Sequence, residues 1–235
     1  MGNSGGLIDD LYALYALPDT DRPWIRTVFV STLDGSAVDE AGVSGSLGGE
    51  ADSAVFSVLR NVADLVLVGA GTARDEGYGP ISADDMDLDV RDKLGLARTP
   101  ILGLVSRRLN IPESLQIPGT LVVTTTSAYA DHGASLKDAV EVIAHGDEEI
   151  DWPAVLADLD GRGLRRITCE GGPHLHGALL EADVVDEVCL TLDPSLVAAH
   201  GTRIATSPSP TRRPMRLVHA HPVGDVLLLR YFRRR

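Results

Sequence analysis

Lysine and cysteine are both scarce in this 235-residue sequence. The two lysines, Lys93 and Lys137, lie outside any glycine-rich segment or predicted strand end. Their positions argue against Schiff-base chemistry, which needs a reactive lysine, and against a phosphate-binding P-loop, which needs a Gly-Lys-Ser/Thr sequence. The two cysteines, Cys169 and Cys189, fall in apolar runs, so we expect them to be buried free thiols.

The sequence also lacks a long apolar run and a basic leader. No run approaches the roughly 20 residues that a membrane-spanning helix needs, and the start, MGNSGGLIDD, carries acids where a secretory signal is apolar. The net charge of −13 disfavours nucleic acid and anionic membranes as partners. We therefore predict a cytoplasmic protein that binds a small-molecule substrate, with no nucleic acid and no membrane as partner.

Predicted strands and helices alternate along most of the chain. The predicted helices are EADSAVFSVLRNVA, DWPAVLADLDGRG and PHLHGALLEAD, and the predicted strands are WIRTVFVSTLDG, DLVLVGAGT, PILGLVS, GTLVVTTT, AVEVIAH, RRITCEGG and VVDEVCLTLDP. This alternation predicts an α/β fold, with a mostly parallel central sheet and helices on both faces. Two apolar runs flank PVGD near the end and predict an antiparallel hairpin, which makes the sheet mixed. We expect residues 1–23 to be an N-terminal extension and residues 24–235 to form one domain; residues 74–98 show no assignable pattern.

Small and polar residues follow five of the predicted strands, in STLDG, VGAGT, VSRR, TTT and CEGGP. Ligands of open α/β sheets collect at such strand ends. Gly69 and Gly71 permit close backbone approach and Thr72 offers a hydroxyl, although the third glycine of a dinucleotide fingerprint is missing and a plain turn remains an alternative. Gly171 and Gly172, just before a helix, predict an anion site.

Charged side chains at the other strand ends suggest roles in binding. Ser106 and Arg107, with a second arginine after them, suit an adenosine 2′-phosphate, which favours NADPH over NADH; a solvated basic loop is the alternative. A bound pyrophosphate would repel Glu170, so we expect this carboxylate to accept hydrogen bonds from a substrate amine or ring N–H. Asp34 precedes the glycine of a turn, and capping that turn is an equally good interpretation. Two histidines in PHLHG point apart on a helix, so we expect no metal.

In this order, the strand ends resemble the reductase domain of riboflavin biosynthesis, a family with the dihydrofolate-reductase-like fold. STLDG, LRNVADLVLVGAGT and CEGGPHLHGALLEADVVDEVCLTLDP carry the resemblance, which spans Trp24 to Tyr231. It implies an NADPH-dependent reductase, usually a homodimer, that reduces the ribosyl side chain of 5-amino-6-(5-phosphoribosylamino)uracil. The resemblance implies cofactor contacts at Ser31, Gly69, Gly71, Thr72, Ser106, Arg107, Thr124, Gly171 and Gly172. On the substrate side it implies Asp34, Ser44, Arg60 and Glu170, with Glu76 in place of a family acid.

The sequence departs from the family at the expected phosphate site. The family reads Asp-Asn-Pro-x-Leu after the threonine, with an arginine soon after that grips the substrate phosphate, but here the residues are RDEGYGP and ISADD. Ser36 also stands where a basic residue is common. An NADPH-dependent reductase of a pterin or dihydrofolate-type substrate is therefore an alternative, and a non-catalytic nucleotide-binding protein is a third. The deaminase motif that often precedes this domain is absent.

The implied reaction is hydride transfer to a ring-opened imine carbon of the substrate, so positioning dominates catalysis. A proton must follow onto nitrogen, and Asp34 or Glu170 would relay it if burial raises the pKa of its carboxyl group. Dihydrofolate reductases hold a Gly-Gly pair in the cis form, and we predict the same for Gly171–Gly172.

Overall fold

The computed structural model describes residues 4–136, 138, 140–198 and 201–235, and nine strands of this part of the chain form one sheet. The strands are β1 (Trp24–Thr32), β2 (Leu65–Gly69), β3 (Ile101–Val105), β4 (Thr120–Thr124), β5 (Glu141–Ala144), β6 (Arg166–Cys169), β7 (Val185–Asp193), β8 (Met215–Val223) and β9 (Val226–Arg233). The helices are α1 (Ser4–Leu14), α2 (Gly49–Asn61), α3 (Ala70–Asp75), α4 (Leu88–Lys93), α5 (Thr126–His132), α6 (Trp152–Gly161) and α7 (Pro173–Glu181).

The strand order across the sheet is β5-β4-β3-β2-β6-β1-β7-β9-β8. Pairs from β5 to β7 are parallel, whereas β9 pairs antiparallel with both β7 and β8. The predicted mixed sheet and C-terminal hairpin are therefore confirmed. Because β6 lies between β1 and β2, the carboxyl ends of these three parallel strands are neighbours. The strands β2 to β5 follow on one side of β6, and β1 and β7 follow on the other, so the strand order changes direction at β6.

Helices cover both faces of the sheet, as the alternation predicted. In β2, Leu65 and Leu67 pack in one apolar cluster with Trp152 of α6, whereas Val66 and Val68 pack in a second cluster on the opposite face. This alternation follows from the two-residue period of a strand. Both predicted cysteine thiols are buried and free.

The unassigned segment 74–98 contains the end of α3 and the short helix α4. The carboxylate of Asp87 accepts the main-chain N–H of Val90 at the start of α4. Buried Arg91 donates to the carbonyl groups of Ala97, Asn61 and Ala63. Side-chain hydrogen bonds, rather than a periodic apolar face, thus hold this segment against the end of α2.

The described part of the predicted N-terminal extension packs on the domain. Leu11 and Tyr15 are buried against α2 in a third apolar cluster. Arg26 of β1 donates to the Tyr15 carbonyl at 2.7 Å, and Arg230 of β9 donates to the carbonyls of Leu14 and Ala16. The chain after α1 is therefore fixed to the sheet by buried guanidinium groups. No helix of the described residues has the length and apolarity to cross a membrane.

Candidate active site

A cleft of about 460 Å³ opens where β1, β6 and α3 meet. Its walls come from β1 and the loop after it, one face of α2, the start of α3, the turn after β6, and the segment after β7. The side chains and glycines that matter below are Phe29, Ser44, Asp52, Phe56, Arg60, Thr72, Glu76, Tyr78, Glu170, Gly172 and Arg203. The sheet thus brings segments that are far apart in sequence to one site.

Bare main chain forms one end of this cleft. The N–H of Gly69 donates to the carbonyl of Gly171 at 2.7 Å, and the Gly171–Gly172 peptide is cis, as predicted. A Cβ atom at Gly172 would lie 2.2 Å from Oγ1 of Thr72, and Gly171 has a φ of +95°. Neither position accommodates a side chain without displacement, so the strand ends of β2 and β6 present a concave glycine surface beside the Thr72 hydroxyl.

An ion pair between Arg60 and Glu170 lies beside these glycines, because Glu170 directly precedes Gly171. Nε of Arg60 donates to Oε1 of Glu170 at 2.6 Å, and an Nη atom donates to Oε2 at 2.7 Å. The Tyr78 hydroxyl also donates to Oε2, at 2.9 Å. The Arg60 guanidinium lies 4.5 Å above the ring of Phe56. This network holds Arg60 and Tyr78 in fixed positions at the wall of the cleft.

Glu170 has a different environment from the one predicted. Its side chain is completely buried, and both carboxylate oxygens are already hydrogen-bonded. Burial raises the pKa of the Glu170 carboxyl, although hydrogen bonds from Arg60 and Tyr78 oppose the rise. Glu170 therefore lines the cleft with both carboxylate oxygens already hydrogen-bonded to Arg60 and Tyr78.

Asp34 lies on an exposed turn and is not among the residues that line the cleft. It accepts hydrogen bonds from the Thr32 hydroxyl at 2.5 Å and from the main-chain N–H of Ala198 at 2.7 Å. These hydrogen bonds lower the pKa of its carboxyl. The turn-capping interpretation matches this geometry, whereas a proton relay required a raised pKa.

The other substrate-side residues converge on the cleft. Ser44 donates to Oε1 of Glu76 at 3.1 Å, and both residues line the cleft. Of the substrate-side predictions, the cleft brings together Ser44, Arg60, Glu76 and Glu170.

The remaining cofactor-side predictions extend along the sheet from the glycines. Ser31 is buried and donates to the Thr32 carbonyl at 3.0 Å. Ser106 and Arg107 follow β3, where Arg107 pairs with exposed Glu149. Thr124 ends β4, and its buried Oγ1 has no hydrogen-bond partner among the described residues. Their contacts with a cofactor stay predictions, but together with the glycines they occupy a continuous row of strand ends, β1-β6-β2-β3-β4.

The segment after β7 is attached to α7. Nδ1 of His176 lies 2.9 Å from the Ile204 carbonyl, and the N–H of Thr206 donates to the Pro173 carbonyl at 3.0 Å. A Cβ atom at Gly177 would lie 1.9 Å from the Thr206 carbonyl oxygen, so the two backbones touch. The His176 ring also stacks on Phe29 at 4.5 Å, and burial lowers the pKa of His176. This attachment places Arg203 at the cleft.

No group of three or more His, Cys, Asp or Glu side chains in the described residues is arranged to hold a metal ion.

Besides Phe29 of β1, four residues of the site were not predicted. Asp52 and Phe56 lie on the same face of α2 as Arg60, at successive spacings of four residues. Arg60 together with helical periodicity therefore contained a usable signal for them. Tyr78 and Arg203 come from irregular segments, where no periodicity indicates which side chains turn inward.

The fold is of the dihydrofolate reductase class. A dihydrofolate reductase from Enterococcus faecalis, complexed with NADP(H), matches with a TM-score of 0.50 and 10% identity, over 90% of this chain and 97% of that one. Residues 23–229 match the model of the RibD C-terminal domain family, and the chain belongs to this family. The family inferred from the strand ends is thereby confirmed.

Curated relatives and a solved structure are also similar to this chain, and their names refer to pyrimidine reductases or to riboflavin biosynthesis. A 2,5-diamino-6-ribosylamino-4(3H)-pyrimidinone 5′-phosphate reductase of Archaeoglobus fulgidus is 28% identical over 188 residues, which cover 75% of this chain and 82% of that protein. The riboflavin biosynthesis protein RibD of Chlamydia trachomatis is 28% identical over 187 residues, 76% of this chain but 48% of that one. A pyrimidine reductase-like protein from Corynebacterium diphtheriae matches with a TM-score of 0.82 and 27% identity, over 96% of this chain and 98% of that chain.

Proposed function

We propose that this protein is an NADPH-dependent reductase of a phosphorylated riboflavin-pathway pyrimidine, of the 5-amino-6-(5-phosphoribosylamino)uracil reductase type. One observation carries the proposal: the same cleft contains the glycine surface beside Thr72, which suits a cofactor, and the hydrogen-bonded group Arg60, Glu170 and Tyr78, which suits a substrate. Membership of the RibD C-terminal domain family and the reductase names of the relatives support it.

The residues present suit a nicotinamide dinucleotide. Gly172 leaves main chain uncovered because Thr72 fills the space of a side chain there, Phe29 fills that space at Gly171, and the N-terminus of α7 follows directly. Thr124 has a buried hydroxyl without a partner among the described residues, and Arg107 offers a guanidinium for a 2′-phosphate. When bound, NADPH supplies a hydride to the substrate. The protein would mainly align the two reactants, which can contribute on the order of 7–11 kcal/mol.

An acidic side chain of this protein would assist the transfer of a proton to the substrate nitrogen after the hydride. Of the two candidates from the sequence, Glu170 alone has a carboxyl pKa raised by burial, whereas that of Asp34 is lowered. We therefore propose that Glu170 acts through Tyr78 and Arg60, and that Asp34 shapes the turn after β1. Ser44 and Glu76, which also line the cleft, would contact the substrate.

A pterin or dihydrofolate-type substrate is the second candidate. The acids Asp52, Glu76 and Asp85 line the cleft, which favours a ring with N–H donors over a strongly anionic group. The family's phosphate-binding arginine is also missing after Glu76. A nucleotide-binding protein without turnover is the third candidate.

Loss of NADPH absorbance, measured with a phosphorylated ribosylaminopyrimidine and with dihydrofolate under matched conditions, separates these functions. We expect faster oxidation with the pyrimidine and a ribityl product by mass spectrometry. Faster oxidation with dihydrofolate would support the second candidate, and tight NADPH binding without oxidation of any substrate would support the third. We further propose that the protein is a cytoplasmic homodimer with no nucleic acid partner, in line with its net charge of −13.

A further inference from the structure

An exposed ion pair lies at the end of the row of strand ends that the proposed cofactor would occupy. Arg107 follows β3, and its Nη1 donates to Oε1 of Glu149, which follows β5. Because β4 lies between β3 and β5, this contact joins the loops on either side of the carboxyl end of β4. The side chain of Arg107 is 58% exposed and that of Glu149 is 74% exposed, so a ligand can reach both.

The loop after β5 fixes the main chain of Glu149. Gly146 has a φ of +81°, and a Cβ atom there would lie 2.0 Å from the carbonyl oxygen of Glu149, so the loop folds back on itself. The main-chain N–H and the hydroxyl of Thr126, in the first turn of α5, both donate to the Gly146 carbonyl at 2.7 Å. The Ser127 hydroxyl donates to the Asp147 carbonyl. This acidic loop is therefore anchored to α5, and the Glu149 side chain extends from a fixed position.

The Arg107 guanidinium offers the same N–H donors to a carboxylate and to a phosphate. A 2′-phosphate that takes the Nη1–H must displace Glu149, and one that binds beside it meets a group of like charge. NADH has a neutral hydroxyl group at this position, so it can bind while the ion pair stays intact. Glu149 thus acts against the one chemical group that distinguishes NADPH from NADH.

We infer that Glu149 is a specificity residue, which competes with the 2′-phosphate of NADPH for Arg107 and so weakens the preference of this protein for NADPH over NADH. The inference rests on the proposed function, because it requires a nicotinamide dinucleotide along these strand ends. Removal of the Glu149 charge should therefore strengthen the binding of NADPH, whereas the loss of a residue that contacts a cofactor favourably would weaken it.

Calorimetric titration of the whole chain with NADPH and with NADH tests this inference, at low ionic strength because salt screens exposed charges. Glu149→Gln should lower the Kd for NADPH by about threefold to tenfold, because it frees Arg107 and removes a like charge. The Kd for NADH should stay within about twofold of the wild-type value. In an Arg107→Gln background, the gain from Glu149→Gln should fall to about twofold or less, because no guanidinium group remains to be freed.

Glu148→Gln is the matched control, because Glu148 is an exposed acid of the same loop. This variant should keep both Kd values within about twofold, and every variant should keep the wild-type melting temperature, since exposed ion pairs contribute little to stability. An unchanged Kd for NADPH in Glu149→Gln, an equal gain for NADH, or an equal gain in Glu148→Gln overturns the inference and leaves the reductase proposal intact. Failure of the wild type to bind either dinucleotide overturns both.

Discussion

At the scale of single residues, the position of Glu170 decides its chemistry. Its carboxylate is buried and bridges Arg60 and Tyr78, so it acts on the cleft by fixing two side chains. Replacement of this carboxylate would leave the partly buried Arg60 guanidinium without its counter-ion.

Glu170→Gln should therefore impair catalysis more than cofactor binding. We expect kcat to fall by about 100-fold, because Arg60 and Tyr78 lose their alignment. The affinity for NADPH should stay within about twofold of the wild type, because the glycines at Gly172 and Gly69 are unchanged. Steady-state kinetics and NADPH fluorescence measure the two effects, with exposed Glu148→Gln as the control. Equal turnover in Glu170→Gln would contradict the role.

Arg203 is the second residue whose contacts suggest a test. It lines the cleft, its guanidinium nitrogens lie 3.7 Å from the Cβ position of Gly35, and no acceptor among the described residues binds it. Arg60, in contrast, already binds Glu170. If the substrate carries a phosphate, Arg203 is the expected contact, in place of the arginine that the family has after its threonine.

Arg203→Gln should raise the KM for a phosphorylated substrate by about 10–100-fold, because a hydrogen bond to a charged group contributes about 1.5–3 kcal/mol. The KM for the dephosphorylated compound should not change. Exposed Arg212→Gln removes the same charge away from the cleft and serves as the control. An equal rise in KM for both compounds would indicate displacement of the segment rather than loss of a phosphate contact.

At the scale of elements, buried charge connects α1 to the sheet. Glu187 of β7 is fully buried and accepts from Arg26 at 2.7 Å and from Arg230 at 2.6 Å. The same two arginines donate to main-chain carbonyls just after α1. One carboxylate thus pairs with both cations that hold the start of the chain, and α1 in turn packs against α2, which carries Asp52 and Arg60.

Glu187→Gln should lower the free energy of unfolding by about 3–5 kcal/mol, because it leaves two buried guanidinium groups without their counter-charge. Urea denaturation at neutral pH measures the change, and Glu148→Gln should change it by less than about 0.5 kcal/mol. A decrease in the free energy of unfolding below about 1 kcal/mol would contradict this expectation, because it would show that hydrogen bonds to carbonyl groups suffice to stabilise the two buried guanidinium groups.

The pH dependence of the same variant checks the sign of the effect. Burial pushes the pKa of the Glu187 carboxyl up, but Arg26 and Arg230 outweigh it and the net shift is downward. A carboxyl with a lowered pKa in the folded state stabilises the protein above its unfolded pKa of about 4.3 and loses that contribution as the pH falls through the folded value. The stability difference between wild type and Glu187→Gln should therefore shrink in acid.

Elements with a periodic apolar pattern were predictable, and elements held by side-chain hydrogen bonds were not. The short apolar run of β2 and the apolar face Val55, Leu59 and Val62, along α2 and its C-cap, gave both elements correctly, since burial imposes those patterns. The helix α4 has six residues and is held by Arg91 and Asp87, which leave no periodic signature. The glycines at the ends of β2 and β6 were predictable because a ligand can approach the main chain closely only where no side chain covers it. The partners of Glu170 were not, because Tyr78 reaches it from an irregular segment.

At the scale of the whole molecule, the two edges of the sheet differ. The edge strand β5 has four residues, and its Glu141 pairs with Arg162. The other edge strand, β8, has nine residues and exposes Leu217 by 49% and Val218 by 38%. A long edge with exposed apolar side chains offers unpaired main-chain groups to another chain, whereas a short, charged edge does not.

The proposed homodimer should therefore form through β8. Two copies related by a twofold axis would pair this edge antiparallel, each presenting the same surface to the other. We expect a mass of twice 24.9 kDa in analytical ultracentrifugation. Leu217→Asp should shift the equilibrium towards the monomer, because a carboxylate would be buried against its own symmetry copy. Leu196→Asp, at a leucine 69% exposed in the segment after β7, should remain dimeric. A monomeric wild type would contradict the dimer itself, whereas a dimeric Leu217→Asp would place the interface on another face of the molecule.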